Sequence, residues 1–170
     1  HVVFAELDRI EMAIRTMLGY RLGSIDPFIY QDVTCLSAFA RQSNKGSRRS
    51  RHAVWVEKFE RAVSSSKEDF VEHHRRYYHG DMPIWAAVEI MDWGMLSYLY
   101  DFSPTKVRHD IADECGLAAP QLASWLKCLN IVRNYAAHHA RMFNRVFDIK
   151  PKLSDDEQLQ EVAGVSNRWQ

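Results

Sequence analysis

Prolines divide this chain into segments in which apolar residues recur with the spacing of a helix. The five prolines lie at positions 27, 83, 104, 120 and 151. Pro83, Pro104 and Pro120 each precede an apolar or amphipathic run, and proline is tolerated in the first turn of a helix but not in its interior. Convincing alternation of apolar and polar residues, the pattern of a half-buried strand, is absent. The sequence therefore predicts an all-α fold, a bundle of five to six helices.

Apolar spacing and turn residues place the boundaries of these helices. The predicted helices cover about residues 7–23, 55–63, 70–78, 83–100, 104–115 and 120 to the residue before Pro151. Residues 23–34 are predicted to form an irregular connection. The helix after Pro83 is apolar over most of its circumference, so we expect it at the centre of the bundle. Gly116 is the expected C-terminal stop of the helix that begins at Ser103-Pro104.

Composition predicts a packed cytoplasmic protein with one main domain. The chain has 170 residues, 46% of them hydrophobic, which is enough to bury a substantial core. Residues 1–150 are predicted to form a single helical domain and residues 151–170 a polar tail. The three cysteines are widely spaced and odd in number, which argues against a disulfide framework and for a reducing compartment. No apolar run reaches the roughly 18 residues of a membrane span, so no membrane association is expected.

Charge is balanced overall but uneven along the chain. A formal net charge of zero disfavours a generic nucleic-acid binder, so any RNA contact must be local. Residues 41–51 are predicted to form a basic, polar and mobile loop that contains Arg48 and Arg49. These two arginines are candidate contacts for RNA phosphates. The alternative is an ordinary solvated loop, because no aromatic residues are interleaved for base stacking.

The last long helix carries the strongest chemical motif, Arg133 to His139. Arginine is a permanently charged fork that suits phosphate, and histidine titrates near neutrality without help. Arg133, Asn134 and a histidine are the smallest set of side chains with which a protein could cleave a phosphodiester without a metal ion. No glycine-rich phosphate loop or paired-carboxylate arrangement accompanies them, so no cofactor is predicted. The alternative is a solvated helix face with one histidine tucked into the core.

Helical phase separates the two adjacent histidines. At ~100° per residue, Asn134, His138, Arg141 and Arg145 share one arc of roughly 60°. His139 leans toward the apolar side. We therefore favour His138 as the chemical residue, His139 as a core-edge or orienting residue, and Arg141 and Arg145 as contacts for RNA.

Two other segments allow competing hypotheses. His73 and His74 belong to a histidine-rich run at 72–79, but adjacent helical residues point about 100° apart and ligate one ion poorly. A supporting role in catalysis and a plain surface role remain open for this run. Residues 111–122 have the predicted helix, turn and helix of a helix-turn-helix motif, although Gln121 is the one polar candidate in it for reading DNA. An ordinary helix-helix corner is the favoured interpretation.

Three segments of the chain resemble the Abi-like (abortive infection) protein family. They are Leu7-Asp8-Arg9-Ile10-Glu11-Met12-Ala13-Ile14-Arg15; Met82-Pro83-Ile84-Trp85 with Glu89, Trp93-Gly94 and Leu96-Ser97; and Trp125-Leu126 with 132–141 and Phe143-Asn144-Arg145. Together they span nearly the whole chain.

The resemblance implies membership of the HEPN superfamily, whose R-x4–6-H motif marks metal-independent endoribonucleases. An all-α, HEPN-like bundle, a two-fold homodimer with RNA cleavage at its interface, and a role in anti-phage defence or as a toxin are then expected. Arg133, Asn134 and His138 match the motif, and His139 fits its longer spacing. The alternative is a non-catalytic HEPN-like module that binds a small RNA or a protein antitoxin.

Overall fold

The described part of the molecule is helical. The structure is a computed structural model, and it describes residues 2–137 and 149–153. Within them lie eight α-helices, one 3-10 helix at Ile29–Gln31, and a single isolated bridge between Ser43 and Ser50. The predicted all-α class is confirmed. None of the described helices is both long and apolar enough to cross a membrane.

The α-helices follow the predicted order with two additions. They are α1 Val2–Gly23, α2 Ala38–Arg41, α3 Arg51–Ser65, α4 Asp69–Tyr77, α5 Ile84–Ile90, α6 Trp93–Phe102, α7 Thr105–Glu114 and α8 Ala119–Ala137. Gly116 has a φ of +66° just beyond α7, as expected of a glycine that ends a helix. The predicted count of five to six helices is wrong, because α2 was not foreseen and one predicted helix is divided.

The divided helix is the apolar segment after Pro83. Met91 and Asp92 have extended backbone angles, so α5 ends at Ile90 and α6 begins at Trp93. Asp92 is the N-cap of α6, because its Oδ1 accepts a hydrogen bond from the Met95 amide at 2.8 Å. Its Oδ2 also lies 2.6 Å from the Lys58 ammonium on α3. Periodicity cannot reveal this break, since the residues on both sides of it are apolar.

Replacing Asp92 separates its two roles. Asp92→Ala removes both the cap and the ion pair and is expected to cost about 1–2 kcal/mol of unfolding free energy. Asp92→Asn keeps a capping oxygen and loses the exposed ion pair, so its expected cost is below about 1 kcal/mol. Urea denaturation of both variants measures the difference. Equal losses would show that the Lys58 contact, not the cap, carries the stabilisation.

Contacts divide the chain into two compact units, Met12–Arg108 and His1–Glu11 with His109–Gln170. In the first unit the core is aromatic. The rings of Trp55 and Phe59 stack at 5.8 Å, and Tyr30 meets Phe59 edge-on at 5.5 Å. The Trp55 indole N–H donates to the Met95 carbonyl at 3.1 Å, which joins α3 to α6. The buried residues of α6, including Phe102, confirm that the segment after Pro83 supplies core to this unit.

In the second unit a returning segment lies beside α8. The Gln121 amide donates to the Leu153 carbonyl at 2.9 Å, and the Lys152 N–H donates to the Ser124 hydroxyl at 2.9 Å. Residues 149–153 therefore run antiparallel to the start of α8. Leu122 and Leu126 supply buried apolar surface from the same helix. The boundary at residue 150 between domain and tail stays a prediction.

Candidate functional site

Arg133 is held by a carboxylate from α1. Its Nε lies 3.8 Å from Oε2 of Glu11, and the side chains are 34% and 12% exposed, respectively. The two residues belong to the same compact unit. Arg133 Nε is buried and makes no hydrogen bond within the described part of the chain. The contact is thus an ion pair on the Nε side of the guanidinium, while about a third of the arginine side chain remains exposed.

The ion pair stabilises the largely buried carboxylate of Glu11 and orients the guanidinium of Arg133. A largely buried carboxylate is costly unless a cation lies next to it, and Arg133 supplies that charge. In return Glu11 restricts the directions that the guanidinium can take. A guanidinium that is partly exposed and tethered on one side can present its remaining N–H groups to an anion.

Asn134 lies on the solvent side of α8. Its side chain is exposed, and its amide nitrogen lies 3.5 Å from the Asn130 side-chain oxygen, at the limit of a hydrogen bond. Val132 and Ala136 lie two residues from Asn134, on the opposite side of the helix, and are partly buried. Asn134, the residue after the tethered Arg133, therefore presents its side-chain amide to solvent. The other predicted residues of this motif, His138, His139, Arg141 and Arg145, lie outside the described residues.

Glu11 was not predicted as a site residue, although a signal was present. Leu7, Ile14 and Leu18 of α1 are all buried, and Glu11 falls between the first two at i+4 and i−3. These spacings put Glu11 on the apolar face of its own helix. A carboxylate in that register needs a cationic partner, but the register does not say which cation.

The two arginines of the basic loop have different surroundings. The loop itself runs from residue 42 to 50, between α2 and α3. Arg49 is 2.6 Å from the Glu57 carboxylate and also donates to the Ala53 carbonyl at 3.4 Å. The hydrogen bond and charge of Arg49, aided by the charge of Arg61, lower the pKa of Glu57. A phosphate would have to compete with Glu57 for Arg49, whereas Arg48 is exposed.

The motif residues of α5 and α6 contribute packing. The Met82 carbonyl accepts a 2.7 Å hydrogen bond from Tyr30, and Trp93 and Leu96 are buried. Trp85 is the exception, since it is exposed and lies across Gly23, where an added Cβ would come within 2.9 Å of the indole ring. These residues hold the fold of the first unit and form no cluster of groups suited to acid-base chemistry.

The alternatives gain little from the structure. Among the described residues, no group of three or more His, Cys, Asp or Glu side chains is placed to hold a metal ion. Gln121 is already engaged on both sides of its amide, because its oxygen accepts from the Ala118 N–H at 2.8 Å and its nitrogen donates to Leu153. A side chain used in this way is poorly placed to read a base edge, which weakens the helix-turn-helix hypothesis.

Comparison with known proteins identifies the family. The family model described as "Abi-like protein" matches residues 1–144, which includes α1 with Glu11 and the whole Arg133–His139 motif. No curated protein and no solved structure shows a significant match to the chain. The family match covers well over half of the sequence. The chain therefore belongs to the Abi-like protein family.

Proposed function

We propose that this Abi-like protein is a metal-independent endoribonuclease that acts in anti-phage abortive infection or as an RNA-cleaving toxin. The observation that carries the proposal is the ion pair between Glu11 of α1 and Arg133 of α8. It leaves a tethered, partly exposed guanidinium next in sequence to an exposed amide, Asn134. His138 follows in the same motif. Family membership supports this assignment of the motif.

The proposed reaction is attack of an RNA 2′-hydroxyl on the adjacent phosphate. The bond from O2′ to phosphorus forms and the bond from phosphorus to O5′ breaks. A base removes the proton of the 2′-hydroxyl, and an acid protonates the departing O5′. The products are a 2′,3′-cyclic phosphate and a 5′-hydroxyl, so the reaction needs no oxidant, metal ion or cofactor.

Each motif residue has a proposed role in that step. His138 transfers a proton, because an imidazole changes charge near neutral pH. Arg133 stabilises the negative charge that grows on the non-bridging oxygens. Asn134 orients the histidine or the phosphate. His139, in the longer spacing of the motif, is the alternative proton-transfer residue.

The reaction calls for two proton-transfer groups, and one copy of the motif offers a single favoured histidine. A two-fold dimer would supply the second, because an isologous interface places the same patch of both subunits together. We therefore propose a homodimer whose cleft binds RNA through Arg141 and Arg145. Specific activity should then fall when the protein is diluted below the concentration at which it dimerises. Full activity of a strictly monomeric protein would contradict this part of the proposal.

The chemistry of the products tests the proposed function. Wild-type protein is incubated with RNA in EDTA, alongside the same RNA with its 2′-hydroxyls methylated, and the new ends are mapped chemically. We expect cleavage of the unmodified RNA alone, with cyclic phosphate and 5′-hydroxyl ends. A requirement for divalent metal, or cleavage of the methylated RNA, would refute the mechanism. Binding of a small RNA or a protein without any cleavage would support the non-catalytic alternative.

A further inference from the structure

A second surface of the protein combines aromatic rings with positive charge. We call it the α4 patch and define it as His73, Arg76, Tyr77, Tyr78 and His79. All five side chains are exposed; Tyr77 is 63% exposed and Tyr78 is 54% exposed. Large aromatic side chains are usually buried in a monomeric protein, so a cluster of exposed ones indicates a binding surface.

The rings of the patch form a connected series. The ring centroids are 4.8 Å apart for His73 and Tyr77, 5.7 Å for His73 and Tyr78, and 5.5 Å for His74 and Tyr78. His74 anchors the series, because its Nδ1 pairs with the Phe70 carbonyl at 2.7 Å. Ring contacts restrict side-chain motion, so less conformational entropy is lost when a flat ligand stacks on the tyrosines.

The backbone fixes the end of the patch. His79 and Gly80 have φ values of +55° and +89°, and the Gly80 N–H donates to the His74 carbonyl at 3.0 Å. Successive left-handed residues with this hydrogen bond end α4 sharply. Tyr78 and His79 are therefore held at a defined turn rather than on a fraying helix end.

Charge decides which flat ligand the patch suits. Arg75 pairs with the Glu72 carboxylate at 3.3 Å, and the next residue, Arg76, is an exposed cation. The patch therefore offers stacking surfaces together with positive charge. The basic loop at 42–50 offers charge without aromatic residues.

We propose that the α4 patch binds single-stranded RNA by stacking bases on Tyr77 and Tyr78 while Arg76 contacts the phosphates. Exposed aromatic side chains in a positive surface are the usual means by which proteins hold unpaired nucleotides. Duplex RNA fits poorly, because its bases are already stacked inside the helix. This inference rests on the proposed function for its ligand, and it adds where an unpaired stretch of the substrate is held.

Binding to an uncleavable ligand tests the patch apart from catalysis. The probe is a short, fluorescently labelled single strand of 2′-O-methyl RNA, followed by fluorescence anisotropy. The double variant Tyr77→Ala/Tyr78→Ala loses both stacking rings and is expected to bind at least roughly thirtyfold more weakly than wild type. Tyr77→Phe/Tyr78→Phe keeps both rings and should bind like wild type. Tyr20→Ala is the matched control, since Tyr20 is 74% exposed and lies on α1.

Further measurements separate stacking from general charge. Arg76→Ala should reduce the slope of log affinity against log salt by about one. A duplex of the same sequence should bind more weakly than the single strand. Equal affinity of the alanine double variant and wild type, equal affinity for the duplex, or no binding by wild type would each overturn the inference.

Cleavage of unmodified RNA is followed in parallel, so that the two proposals fail separately. If the alanine double variant binds like wild type while the RNA is still cut, the α4 patch is wrong and the nuclease assignment stands. If binding depends on the tyrosines while no RNA is cut, the patch stands and the nuclease assignment is wrong. Circular dichroism of each variant checks that the exposed substitutions leave the helices intact.

Discussion

Alanine at Arg133 or at His138 is expected to slow RNA cleavage by roughly 10²–10³-fold while RNA binding is retained. Arg133 would lose the charge that stabilises the transition state, and His138 would lose the proton transfer. Because the two residues act on one step, the double variant should be only slightly slower than the worse single variant. Single-turnover cleavage gives the rate, and anisotropy with 2′-O-methyl RNA gives the affinity.

Conservative variants distinguish charge from orientation at the same position. Arg133→Lys keeps the positive charge but loses the planar guanidinium whose Nε faces Glu11, so we expect affinity to persist and most of the rate to be lost. Glu11→Gln should lower kcat more than it changes KM, because the arginine remains while its orientation is loosened. Glu6→Gln is the matched control on α1, since Glu6 is exposed and pairs with exposed Arg9.

A double-mutant cycle isolates the contribution of the pair. If Glu11 acts through Arg133, Glu11→Gln should have no further effect on the rate once Arg133 is alanine. Additive effects would show that Glu11 acts elsewhere, and unchanged cleavage in Arg133→Ala would remove the basis of the proposed function. His139→Ala tests the assignment of the histidines, because a loss as large as that of His138→Ala would favour the longer spacing of the motif.

Replacing the buried Arg15 with methionine is expected to lower the free energy of unfolding by about 2–4 kcal/mol. Arg15 is 8% exposed, and its guanidinium donates to the carbonyls of Val88 and, at 3.0 Å, Met91. The Val88 oxygen also accepts a hydrogen bond from the Met91 N–H at 3.2 Å. Both oxygens lie at the end of α5, where the Arg15 guanidinium interacts favourably with the helix dipole. Methionine keeps a flexible apolar stem but leaves both oxygens without that donor.

Urea denaturation followed by circular dichroism measures the effect of Arg15→Met. Arg9→Met on the same helix removes an exposed ion pair and is expected to cost less than about 1 kcal/mol. Arg15→Lys should fall between the two, because an ammonium retains charge but does not form a planar fork. An unchanged midpoint in Arg15→Met would mean that the cost of burying the guanidinium offsets its hydrogen bonds.

Local chemistry explains which parts of the fold could be predicted. Pro120 marks the start of α8 and Gly116 ends α7, because each residue imposes its own backbone preference. The break at Asp92 was missed since a single aspartate between Met91 and Trp93 interrupts neither the apolar composition nor the spacing. Its capping role depends on a hydrogen bond that composition does not display.

In the candidate site, too, some features follow from local sequence and others depend on tertiary contacts. The exposure of Asn134 on α8 follows from helical phase. The ion pair of Arg49 with Glu57 does not follow from helical phase. A flexible arginine could pair with any of several carboxylates, and the turn of the loop places Arg49 next to Glu57. The α4 patch was visible as a run of histidines, arginines and tyrosines, but the contacts between its rings require the coordinates.

By itself, the sequence determined the all-α class and most helix boundaries, and it contains the motif of Arg133, Asn134 and His138. These features depend on neighbours within a turn or two, where backbone preference and apolar spacing act directly. The tertiary structure decided that Glu11 is the partner of Arg133 and that Arg15 binds the end of α5. The partner of a buried charge depends on which helices pack together, and helical periodicity contains no information about that choice.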